Sequence, residues 1–188
     1  MTPEQKDIVR ETWEQVGTIA EIAASLIYDR LFEVDPTIRP LFASVDMAAQ
    51  GEKLMTMIGV AVANLDQLET LLPAVEALGR RHVAYGVADS HYDSVGSALL
   101  WTLEQGLGDV WSEEAADAWE TAYGILSGVM RSAAAAEQVA AQYRIGLGAG
   151  AAVSAVSADR HLGRHMFNRI FRCPDVLRLC RPAAGDLP

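Results

Sequence analysis

Residues 78–96, LGRRHVAYGVADSHYDSVG, hold the side chains of this chain most able to do chemistry. His82 is one of four histidines, and Tyr92 follows it ten positions later. His82 stands near the end of a segment whose apolar residues, Leu71, Leu72, Val75 and Leu78, repeat with helical period. A turn at 86–89, GVAD, separates it from a second helical segment carrying Tyr92, Val95, Leu99 and Leu103. A histidine at the end of one helix with an aromatic hydroxyl on the next suits a metal-bearing group, such as a haem, held from one side by imidazole. The same pattern also serves a structural histidine whose hydrogen bonds are satisfied inside the fold.

The other histidines are weaker candidates. His91 opens a helix and reads as an exposed or capping residue. His161 and His165 stand four apart, as metal ligands can, but no third ligand accompanies them, and they read as solvated residues of a basic helix. No Cys-x-x-Cys-His occurs, which excludes covalent haem attachment. The two cysteines, Cys173 and Cys180, would lie about two turns apart on a helix, too far to bridge. The expected setting is therefore a reducing, cytoplasmic one.

Stepping outward, the elements that must position His82 are nearly all helical. The chain has 188 residues, 51% of them hydrophobic, enough for one domain with a full core. Thr2, Pro3 and Gln5 form a capping box with proline at the first helical position, so the start reads as a helix and not as a signal peptide. Ile8, Val9, Thr12, Trp13 and Val16 share one face of that helix. A second helix carries Ile19, Ile22, Ala23, Leu26, Ile27 and Leu31; Pro36 and Pro40 then frame a turn-rich piece at 35–42. A third helix is expected over about 47–65, followed by the His82 helix, one over 90–107 and one over 113–136 that residues 138–145 extend. No strand pattern and no internal repeat occurs, so the fold class is all-α with six or seven helices.

Charge divides the chain. The formal net charge is −10. Residues 1–136 carry 8 basic and 21 acidic side chains, whereas residues 137–188 carry 7 and 4. An acidic body argues against nucleic-acid binding. No run of 18 apolar residues is present, so no transmembrane segment is expected. Residues 1–136 are expected to form the cofactor-binding domain. Residues 137–188 read as a Gly/Ala-rich hinge and a short tail helix at 159–172, with Leu162, Met166, Ile170 and Phe171 set against Arg160, Arg164, Arg169 and Arg172. That tail could dock on the acidic body, a second copy of the chain, another partner or a membrane surface.

Six stretches in order, 26–32 (LIYDRLF), 35–42 (DPTIRPLF), 53–55 (KLM), 78–82 (LGRRH), 91–96 (HYDSVG) and 118–124 (AWETAYG), resemble the globin family. The resemblance is nearest to bacterial single-domain haemoglobins related to the globin domain of flavohaemoglobins and to neuroglobin-like bacterial globins. It covers about residues 4–133 and implies a 3-on-3 helical sandwich, with the remaining residues as a C-terminal extension. By that resemblance His82 is the proximal iron ligand of a non-covalent haem b. Phe42 packs on the haem face, and Tyr28 and Gln50 form the distal, ligand-stabilising pair. Leu54 touches the gas, Lys53 reaches a propionate, and Val87, Tyr92 and Val95 line the proximal side. The glutamate that flavohaemoglobins place in the final helix, supporting the proximal histidine through a tyrosine, is replaced here by Ala134. The second ring nitrogen of His82 is then expected to donate to the Leu78 carbonyl.

The resemblance implies binding of O2, NO or CO at a five-coordinate iron. NO dioxygenation would need an external reductase, since no flavin or NAD domain follows in the sequence. The other reading is a haem-based gas or redox sensor that signals through the tail.

Overall fold

The computed structural model describes residues 1–148, with side chains through residue 144. The tail helix expected at 159–172, His161, His165, Cys173 and Cys180 lie outside the described residues. Within them the chain is all-α. Helix α1 spans Pro3–Gly17, α2 Ala20–Val34, α3 Met47–Ala63, α4 Leu72–Ala84, α5 Asp89–Leu107 and α6 Glu113–Gly148. Short 3-10 helices occupy Pro36–Phe42, Leu68–Thr70 and Gly108–Val110.

Local chemistry sets the helix starts. The expected capping box forms: Thr2 Oγ1 accepts from the Gln5 amide at 3.2 Å, and Gln5 Oε1 accepts from the Thr2 amide at 2.8 Å. Asp46 caps α3 by accepting from the Ala48 amide at 3.1 Å. Asp35 caps the Pro36–Phe42 turn through the Thr37 amide and takes the Ser94 hydroxyl at 3.0 Å, which ties the end of α2 to α5. At α5 only half of a capping box is present. His91 Nδ1 accepts from the Ala88 amide at 3.1 Å, while Ala88 itself has no side-chain acceptor. His91 is thus the capping residue its position predicted.

Helices α1, α3 and α4 form one layer and α2, α5 and α6 the other. The most extensive contacts across the layers are α4 on α6, α1 on α6 and α2 on α3; within the second layer, α2 packs along α5. This is the 3-on-3 sandwich. Its main core gathers Val9, Val16, Ile27, Met55, Leu99, Leu103 and Trp119. Two polar groups buried at the α1–α6 contact satisfy each other: Trp119 Nε1 donates to Thr12 Oγ1 at 2.9 Å. A second cluster, Tyr28, Leu31, Ile38 and Ala98, underlies Phe32, Phe42 and Val95. Glycine allows the α2–α3 crossing to be tight, since a Cβ on Gly51 would stand 2.9 Å from that of Ala24.

The last helix runs further than its expected core span. α6 is a single 36-residue element that continues through position 136 to Gly148. Alanine-rich sequence without proline sustains it. No described helix is long and apolar enough to cross a membrane.

Candidate functional site

His82 lies in the last turn of α4, and Gly86, at φ +78°, turns the chain toward α5 in a backbone region that glycine adopts without strain. That turn brings Tyr92 under the imidazole. His82 Nδ1 and the Tyr92 hydroxyl oxygen are 3.0 Å apart. The expected Leu78 carbonyl is therefore not the partner of this nitrogen. The ring is turned so that Nδ1 meets the Tyr92 hydroxyl across the Gly86 turn, away from the carbonyls of its own helix. Burial, and next to it the Arg81 charge, push the His82 pKa down to about 4. The ring is neutral at physiological pH, with a lone pair to give.

Tyr92 is itself fixed from α6. The buried Tyr123 hydroxyl donates to the Tyr92 carbonyl at 2.6 Å. Tyr123 reaches that point because Gly96 has no side chain; a Cβ there would lie 2.6 Å from the Tyr123 ring. Burial holds the Tyr123 phenol far above the usual tyrosine range, so it remains a donor at any ordinary pH.

Across the cavity stand Tyr28 on α2 and Gln50 on α3. Tyr28 is only 8% exposed, and burial raises its pKa, while a hydrogen bond with the Gln50 side chain pulls the other way. Phe42 meets the Tyr28 ring edge-on at 5.4 Å between centroids, and Phe32 packs on both. The phenol is thus held by an aromatic cluster on one side and an amide on the other.

These groups line one cavity of about 270 Å³ between α3 and α4. All nine residues singled out from the sequence line it: Tyr28, Phe42, Gln50, Lys53, Leu54, His82, Val87, Tyr92 and Val95. So do residues that sequence reasoning left unassigned, among them Leu31, Ile38, Met57, Ile58, Tyr85, Tyr123 and Met130. Helical period says that such residues face inward, and only the packing shows which part of the core they face.

The donor set fits a haem. Among the described residues no group of three or more His, Cys, Asp or Glu could hold a bare metal ion. A single neutral imidazole in an apolar slot could hold only a metal whose other ligands come from a cofactor. Nδ1 is engaged by Tyr92, which leaves Nε2 for that metal.

The sandwich and the slot define a helical haem-pocket protein. The family model described as Globin matches residues 25–130, a span that includes all nine pocket residues named above, and the chain belongs to the globin family. It is 31% identical over 143 residues to neuroglobin of Danio rerio, covering 69% of this chain and 90% of that protein. It is 30% identical, with the same coverage, to neuroglobin of Dissostichus mawsoni. It is also 29% identical over 123 residues to the flavohemoprotein of Bacillus subtilis (strain 168), covering 64% of this chain but only 31% of that protein. Globins carry haem and bind gaseous ligands such as O2, and this chain shares that function.

Proposed function

We propose that the protein holds haem b non-covalently on His82 and binds O2, and with it NO or CO, at an iron whose sixth position is open. The observation that carries this reading is that Tyr28 and Gln50 line the same cavity as a neutral His82. No histidine occurs between Met1 and Arg81, so no imidazole on α3 competes for that position.

Haem iron supplies the reversible bond to a diatomic gas. The chain supplies everything around it. His82 Nε2 would hold the iron, and the hydrogen bond at Nδ1 sets the plane of the ring. Phe42 and Val95 provide apolar faces for the cofactor, and Lys53 supplies a cation for a propionate. The Tyr28 hydroxyl and the Gln50 amide donate hydrogen bonds to a ligand that gathers negative charge. Leu54 and the aromatic cluster exclude water, which strengthens those bonds. With an external reductase, the same pocket supports NO dioxygenation, in which NO, O2 and one electron give nitrate.

A second reading, a gas or redox sensor, draws on one feature. α6 carries Tyr123 in the pocket wall and continues without interruption past position 136 to Gly148. Ligand-dependent protection of the tail against proteolysis would favour this reading; NO consumption with a reductase present would favour the first.

Absorption spectra of the purified protein as ferric, ferrous and ferrous-CO forms test the proposal. A five-coordinate ferrous spectrum that converts fully with CO is expected. Failure to take up haem in a folded protein would overturn it.

A further inference from the structure

Arg131, on α6, packs against Tyr92, the partner of His82. Its guanidinium carbon stands 5.4 Å from the centroid of the Tyr92 ring. Its two terminal nitrogens are both taken by α5, one by Asp89 at 3.2 Å and the other by Asp93. These aspartates are four residues apart, so one edge of α5 presents both carboxylates and clamps the guanidinium in place. Arg131 Nε is buried and has no hydrogen-bond partner, as expected of an N–H laid against a ring face. The two carboxylates are 73% and 75% exposed and the arginine 29%; burial and then the Asp89 charge raise the Tyr92 pKa, and the Arg131 charge pulls it down against them.

The ring beneath that cation is the one that meets His82. Resting on the haem reading above, His82 presents the Nε2 lone pair to iron and carries its proton on Nδ1. Nδ1 therefore donates and the Tyr92 oxygen accepts, across 3.0 Å. A cation fixed over a phenol face draws electron density from the ring and its oxygen, making that oxygen a poorer acceptor. No carboxylate at position 134 offsets this, because Ala134 stands there.

We propose that Arg131 is a positioning residue that acts through Tyr92 to weaken the His82 hydrogen bond, and so limits how much electron density the imidazole delivers to haem iron. A strong acceptor at Nδ1 gives the imidazole anionic character and tightens its bond to iron. Arg131 holds this protein toward the other limit, which favours reversible gas binding over chemistry on the gas.

The test uses the full-length haem protein and four variants: Arg131→Met, Arg131→Lys, Tyr92→Phe and the double variant Tyr92→Phe/Arg131→Met. The iron–imidazole stretching band of the ferrous form is read by resonance Raman, and the midpoint potential by spectroelectrochemistry. Arg131→Met should move the band to higher frequency and make the potential more negative. Arg131→Lys should return both toward wild type. In the Tyr92→Phe background, Arg131→Met should move neither. If Arg131→Met leaves both readings unchanged, or moves them equally with and without the Tyr92 hydroxyl, the proposal is overturned while the haem reading stands. A wild-type protein with no iron–imidazole band would overturn the haem reading and this proposal with it.

Discussion

His82 and Tyr92 are joined across the Gly86 turn by a 3.0 Å hydrogen bond that uses up one ring nitrogen and leaves the other for the cavity. Three helices meet at this contact. α4 brings the imidazole and α5 the phenol. α6 pins the phenol's backbone through Tyr123. The site is as rigid as the packing of those helices, which fixes the imidazole in place before any cofactor arrives.

Rigidity at Tyr92 depends on Gly96. A methyl group there would stand 2.6 Å from the Tyr123 ring and must displace it. Gly96→Ala should destabilise the protein by about 1–3 kcal/mol, the usual range for overpacking a tight core. Urea unfolding of the wild type and variant checks this; an unchanged midpoint would mean that α5 and α6 separate easily.

On the distal side, Tyr28→Phe deletes a hydroxyl and leaves the Phe42 and Phe32 packing intact. One donor in a dry pocket contributes about 1–2 kcal/mol. O2 release should therefore quicken on the order of tenfold. CO gathers less charge than O2, so its release should change much less. Stopped-flow release rates for both gases measure this, and equal effects on the two would show that Tyr28 acts by shape alone.

The haem-free protein should lose stability in mild acid. Burial holds folded His82 at about 4, against an ordinary value of 6.5. Between those values the unfolded chain binds a proton that the folded chain refuses. Stability from this group is thus complete above 6.5 and declines as pH falls toward 4. The loss is bounded at about 3 kcal/mol. Urea midpoints of apoprotein across this range should fall with pH, and those of His82→Gln should fall less.

Residues 137–188 should be dispensable for haem binding, because among the described residues none later than Met130 lines the pocket. The ion pair in the continuation of α6, Arg144 with Glu137, lies at the surface and adds little. Truncation after Ala136 should leave the Soret band in place. A truncated chain that no longer folds would show that the continuation of α6 completes the core.

Much of this was legible from residue order. Periodicity separates the helices because each has one inward face, and Thr2 with Gln5 marks the first helix start through a purely local interaction. The pocket was legible in part. Tyr28 and Gln50 came from the resemblance to globins, since helical period says only that a residue faces inward and not which wall it joins. The partner of His82 Nδ1 was misread because it depends on the ring's orientation and on the sharpness of the Gly86 turn. Arg131 gave no signal: it lies 38 and 42 residues from the aspartates that hold it, and an arginine on a helix ordinarily points to water. The end of α6 was blurred because alanine continues a helix as readily as it fills a loose segment.

In the proposed function His82 alone anchors the haem. His82→Ala, purified and reconstituted beside the wild type, tests it most directly through haem stoichiometry and the ferrous spectrum. The variant should lose stoichiometric haem, or retain it only when imidazole is added to fill the space the side chain leaves. Full haem retention with an unchanged ferrous spectrum and no imidazole would contradict the account.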